Sequence, residues 1–120
     1  MSEPSGEAAE GPPPEDAKLI TLARSARARI GAAEGAAVRD ETGRTYVAAT
    51  VDLSSLRLSA VQAVVAAAVS SGSTTLEAVA VVGNLEELRD EDRAVLADVS
   101  VTTVLIADPA GVRRSAPAKP

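Results

Sequence analysis

Apolar positions recur along this chain with two different spacings. Leu19, Leu22, Ala23, Ala26 and Ile30 fall three and four residues apart, while Lys18, Arg24, Arg27 and Arg29 project elsewhere. This predicts a helix over 17–30, stopped at Gly31. Residues 36–39 and 44–51 read as two strands joined by the turn-rich Asp40-Glu41-Thr42-Gly43. Ser59-Ala60-Val61-Gln62 matches a capping box, and the following 63–71 carry no charge before Gly72. A helix apolar nearly all round is expected to be buried on several sides, with 63–69 the most buried stretch. Residues 76–82 form a continuous apolar run closed by Gly83-Asn84, which suggests a central strand. Asp90 or Asp92 is expected to cap a third helix running to Asp98. A second β-branched run covers 101–107, a turn follows over 108–111, and 112–115 could add an edge strand. The order is α-β-β-α-β-α-β-(β), an α/β sandwich with a helix buried against a mixed sheet.

Composition narrows the chemistry. The 120 residues contain no Cys and no His, so disulfides, thiolate nucleophiles, imidazole bases and Cys/His zinc sites are excluded. Tyr46 is the single aromatic residue, which argues against reading nucleic-acid bases by stacking. Net charge is −5 and unevenly spread: residues 1–16 hold five acids and no base, whereas 109–120 hold only Arg113, Arg114 and Lys119. An acidic pI near 4.7 disfavours duplex DNA as a partner. No uncharged apolar run is long enough to span a membrane, and no secretory signal pattern is visible, so a cytoplasmic location is the expectation. Residues 1–16, with Pro12-Pro13-Pro14, read as a disordered acidic arm, 17–114 as the folded domain and 115–120 as a disordered tail.

Several local strings resemble the small homo-oligomeric cytidine deaminases. The pattern V-G-A-A-L-x-x-x-D-G-x-x-Y-x-G-x-N-V-E is followed without a gap by Gly35-Ala36-Ala37-Val38, Gly43, Tyr46, Val51 and Asp52. Ala78-Val79-Ala80-Val81-Val82 matches the strand after that family's catalytic helix. Arg93-Ala94-Val95-Leu96-Ala97-Asp98-Val99 matches the second half of its P-C-G-x-C-R-Q-V-L-x-E-F segment. The resemblance covers about 17–114 and implies a cytidine deaminase-like α-β-α sandwich. It also implies assembly as a dimer or tetramer.

The resemblance further implies where zinc chemistry would reside. Those enzymes hold zinc with one Cys or His and two further Cys, and a Glu two residues after the first ligand shuttles protons. Aligned on Gly72, the first ligand falls on Ser59 and the Glu on Val61; aligned on the hairpin, they fall on Val61 and Ala63. Arg89 and Asp92 stand where the two Cys belong. The ribose-binding Asn and Glu align with Thr50 and Asp52, leaving these two as a vestigial ribose contact or an ordinary polar strand end. The aromatic Y-x-x-Y-S-x-F stretch is replaced by Ile30-Gly31-Ala32-Ala33-Glu34.

Each remaining feature has a plainer reading. Arg89 and Asp92 form either a salt bridge standing in for the metal or two solvated charges near a helix N-terminus. Ser59 reads as a cap, since no His could activate it as a nucleophile. Glu86, Glu87, Asp90, Glu91 and Asp92 read as a solvated acidic face, and Arg24, Arg27 and Arg29 as a solvated helix face. The expectation is a pseudoenzyme with no catalytic residue, metal or cofactor, acting structurally or in regulation through self-association or a protein partner. The alternatives are an active cytidine deaminase and a metal-free nucleoside-binding module.

Overall fold

A computed structural model of the protein describes residues 12–115. The first helix, α1, spans Pro14–Ile30, three residues earlier than the periodicity predicted. Proline is compatible with the first turn, where its missing N–H has no helical partner anyway, and Glu15 and Asp16 favour the positive end of the helix dipole. Pro14, Glu15 and Asp16, expected within a disordered arm over 1–16, are thus helical; 1–11 and 116–120, where the rest of that arm and the tail expected over 115–120 fall, lie outside the described residues. Gly31 closes α1 in the left-handed conformation, at φ 72°. Ile30, expected on the buried face, is exposed.

Strands β1 (Gly35–Asp40) and β2 (Thr45–Ala49) form the expected antiparallel hairpin. The Asp40 carboxylate organises its turn, accepting hydrogen bonds from the Thr42 N–H at 2.9 Å, the Thr42 hydroxyl at 2.7 Å and the Arg44 N–H at 2.9 Å. A two-stranded ribbon follows, β3 (Val51–Asp52) against β4 (Arg57–Leu58). Its strands are two residues long, too short to carry an alternating pattern. Helix α2 (Ala60–Ser70), strand β5 (Leu76–Val82), helix α3 (Asp90–Asp98), and strands β6 (Thr103–Ala107) and β7 (Arg113–Ser115) complete the chain.

The main sheet has the order β2-β1-β5-β6-β7. It is mixed: β5 and β6 are parallel, joined through α3, and the other pairs are antiparallel. Alternation along the strands divides the core into two layers. Ala37, Ala78, Ala80, Val82, Leu105 and Ala107 pack with Leu19, Ile20 and Ala23 of α1. Ala36, Val38, Val79, Val81, Val104 and Ile106 pack with Val61, Val64 and Ala68 of α2 and Leu96 of α3 on the other face.

A bulge interrupts this parity. Arg39 pairs with Ala78 but Asp40 pairs with Leu76, so Glu77 is an extra residue on β5. Leu76 therefore turns into the α2 layer, and Glu77 faces outward to accept a 3.0 Å hydrogen bond from Arg39 Nε. Arg39 also reaches Asp16 at 3.0 Å, tying the first turn of α1 to the end of β1. Burial opposes charge on Arg39, but the bonds to Glu77 and Asp16 prevail and raise its pKa further above the ordinary value.

Helix α2 departs from expectation. Its capping box is present, with Ser59 and Gln62 bonded reciprocally. Yet Ala66 and Val69 are exposed and only one side of the helix is sealed. The most buried run is instead the central strand β5, where 78–82 are all inaccessible to solvent. Among the described residues no helix is long and apolar enough to cross a membrane.

Candidate functional site

The carboxyl ends of the parallel strands β5 and β6 lie at the same edge of the sheet as the start of β1. This is where open α/β sheets commonly hold ligands. A cavity of about 320 Å³ opens there, lined by the 33–34 loop, Thr50, the β3–β4 ribbon, the first turn of α2, and Arg89 and Glu91.

Four side chains are linked at its base. Ser59, the N-cap of α2, accepts from the Gln62 N–H at 3.0 Å and donates its hydroxyl proton to Asp92 Oδ1 at 2.6 Å. Asp92 lies in the first turn of α3 and is fully buried. Its other oxygen accepts from Arg89 Nη1 at 3.3 Å. Arg89 forks onto Glu34, with Nη1 3.2 Å from Oε1 and Nη2 bonded to Oε2. Glu34 is only 5% exposed, while the Arg89 side chain is 45% exposed. The hydrogen bond to Glu34 is the main cause of an Arg89 pKa raised above its ordinary value, with Asp92 adding to it.

Backbone geometry makes room for this group. A Cβ on Gly83, at the end of β5, would lie 2.7 Å from Glu34 Cγ. Thr50 fixes the Glu34 backbone: its hydroxyl accepts from the Glu34 N–H at 3.0 Å and donates to the Glu34 carbonyl at 3.2 Å, and its own N–H donates to that carbonyl at 3.0 Å. At the mouth, Asp52 and Arg57 form an exposed 3.3 Å ion pair across the ribbon.

The structure thus brings together Ser59, Arg89 and Asp92 of the expected positions. Val61 is not among them: it is buried in the α2 layer of the core. Thr50 and Asp52 both line the cavity, but the Thr50 hydroxyl is already engaged with Glu34 and Asp52 with Arg57. The solvated reading of Asp92 is corrected by its complete burial. Sequence reasoning missed Glu34. Its signal was a lone carboxylate in the small apolar run Ala32-Ala33-Glu34-Gly35-Ala36, where an unpaired charge would be costly.

This donor set does not fit zinc. Ser59 offers a hydroxyl already bonded in both directions, and Asp92 offers one carboxylate. A guanidinium, which is always charged, lies against the two carboxylates that could have met a cation. Among the described residues no group of three or more acidic, His or Cys side chains is arranged to hold a metal ion. A second, more apolar groove of about 590 Å³ lies between α2 and α3, lined by Val65, Ala66, Val69, Val95 and Val99.

The sequence model of the Cytidine deaminase-like family matches residues 12–111. A crystal structure of cytidine deaminase from Mycobacterium tuberculosis is 31% identical and superposes with a TM-score of 0.63, covering 81% of this chain and 86% of that one. Cytidine deaminase from Burkholderia pseudomallei is 21% identical with a TM-score of 0.69, covering 82% of this chain and 90% of that one, a likeness of fold. Cytidine deaminase from Mycobacterium leprae is 25% identical with a TM-score of 0.60, covering 78% and 87%. No curated protein matches the chain.

Proposed function

Because this chain belongs to the cytidine deaminase-like family, its activity turns on what stands at the family's metal position, and we propose that it is a catalytically inactive member with a structural or regulatory role exercised through protein contacts. The supporting observation is the Arg89 guanidinium held between Glu34 and Asp92. Deamination of cytidine adds water at C4 and expels ammonia. It needs an activated water and a group that carries protons between the water and the leaving amine. Here a cation of fixed protonation occupies the base of the cavity. The two buried carboxylates beside it, Glu34 and Asp92, are both engaged in ion pairs with that cation. Neither a metal-activated hydroxide nor a proton shuttle is supplied by Ser59, Val61, Arg89 or Asp92.

A role in protein contacts is supported by surface chemistry away from that base. Val69 on α2 and Leu53 and Leu56 at the tip of the β3–β4 ribbon are exposed apolar side chains, and α2 presents a small-residue flank without charge. Homo-oligomerisation, as a dimer or tetramer, is the reading this favours.

Metal analysis and a cytidine absorbance assay on the purified full chain, with and without added zinc, test the inactivity. The expected result is no stoichiometric metal and no turnover. Zinc-dependent turnover abolished by Asp92→Ala would establish an active deaminase instead. Calorimetric titration with cytidine and uridine addresses the remaining alternative: saturable binding without turnover would make the chain a nucleoside-binding module.

A further inference from the structure

The misfit between the family's metal and this site has a positive side. We infer that Arg89 is a built-in structural cation, tying together the three chain segments that converge on the cavity base. Glu34 belongs to the loop between α1 and β1, Ser59 to the start of α2, and Asp92 to the start of α3. No backbone hydrogen bond joins these three residues to one another among the described residues. They are joined through side chains, and Arg89 is the only positive group in the set.

Charge and burial carry the inference. Glu34 and Asp92 are both almost wholly removed from water. Two buried carboxylates without a cation would repel each other and lack compensation for lost solvation. Arg89 answers both needs with one planar group: a fork on Glu34 and a third contact to Asp92. Lysine would offer a single point charge in place of that fork. Asp92 then accepts the Ser59 hydroxyl, so the order imposed by the guanidinium passes on to the cap of α2. The remaining charged groups lining the cavity are Glu91 of α3 and the Asp52–Arg57 pair of the ribbon. That pair is largely exposed, and no ion pair joins any of the three to the Arg89 group. This inference deepens the proposed loss of activity. It would stand even if the cavity proved to bind a nucleoside.

The test is a thermal-melt cycle on the full chain, comparing wild type with Glu34→Gln, Arg89→Met, Arg89→Lys and the Glu34→Gln/Arg89→Met double variant, all in excess chelator. Wild type is expected to melt at the same temperature with or without chelator. Arg89→Met should lower the melting temperature by about 8 °C or more, because two buried charges lose their partner. Arg89→Lys should fall between these. The decisive reading is a change of sign: Glu34→Gln lowers the melting temperature when Arg89 is present and raises it in the Arg89→Met background, a coupling expected only of groups in direct interaction. If Arg89→Met does not fold, the double variant should recover soluble, cooperatively melting protein. An Arg89→Met melt within about 2 °C of wild type, or a Glu34→Gln effect of the same sign in both backgrounds, would overturn the inference. The melts are read without any deaminase assay, so either outcome is separate from the question of catalysis.

Discussion

The Ser59 hydroxyl donates a 2.6 Å hydrogen bond to Asp92, joining the cap of one helix to the first turn of another across 33 positions of sequence. The same oxygen accepts from the Gln62 N–H, so one atom serves a local cap and a long-range tie. Its proton goes to a carboxylate, which makes the bond charge-assisted and stronger than a neutral one.

Replacing Ser59 with Ala removes both functions. The cap contributes about 1 kcal/mol, and the donor to a buried carboxylate about 1.5–3 kcal/mol. Urea unfolding of Ser59→Ala should therefore show a loss of about 2–4 kcal/mol, and Ser59→Thr should recover most of it. An Ala variant as stable as wild type would mean the tie is not formed in solution.

Asp40 makes stability depend on acid. Hydrogen bonding from Thr42, foremost its hydroxyl, holds the Asp40 pKa at about 2, with Ser73 and Arg44 adding to this against the opposing effect of burial. The unfolded chain, with an ordinary carboxylate, takes up the proton first as pH falls. The stabilisation is complete above about pH 4 and is lost progressively towards pH 2. Denaturation midpoints measured across that window should fall steeply for wild type and more shallowly for Asp40→Asn.

Gly35 sits where β1 passes closest to α1. A Cβ there would press into the Ala23 carbonyl oxygen and lie 2.9 Å from the Arg27 backbone nitrogen, and neither can yield without moving the helix. Gly35→Ala should cost about 3 kcal/mol or more. Gly43→Ala, in open space at φ 91°, should cost about 1 kcal/mol through backbone strain alone. Equal losses at the two sites would contradict the close approach.

Self-association predicts a surface effect. Val69→Glu places a charge on the exposed flank of α2 without touching the core. Circular dichroism should be unchanged, while light scattering coupled to size exclusion should show wild-type oligomers reduced to monomers. A wild-type protein that is already monomeric would direct the search towards a different protein covering α2.

Much of this architecture was readable in the chain because each long element carries its own periodic signal. Leu76–Val82 coincides with the predicted strand, and the Ser59/Gln62 capping box is formed as the spacing implied. The start of α1 is not legible because Pro12-Pro13-Pro14 reads as a helix breaker, although the last proline is acceptable at a first helical position. The ribbon was missed because two-residue strands have no period. Burial of α2 was overestimated because absence of charge shows what a helix tolerates, not how many neighbours cover it. At the site, Ser59, Arg89 and Asp92 are linked by side-chain hydrogen bonds, and Val61 lies apart in the core. Glu34 was overlooked because its partner, Arg89, is 55 residues away, and an ion pair of that separation leaves no local pattern.

The Asp16–Arg39–Glu77 contacts have a practical consequence. They anchor the first turn of α1 beside the end of β1, whereas Glu34 and the cavity lie just before its beginning, a strand of six residues away. At the usual rise this separates the two by about 17–20 Å. A fluorophore attached at the exposed Ala17, early in α1, therefore sits at the edge opposite the cavity. It can report on binding or assembly while leaving the Glu34–Arg89 end of the sheet unobstructed.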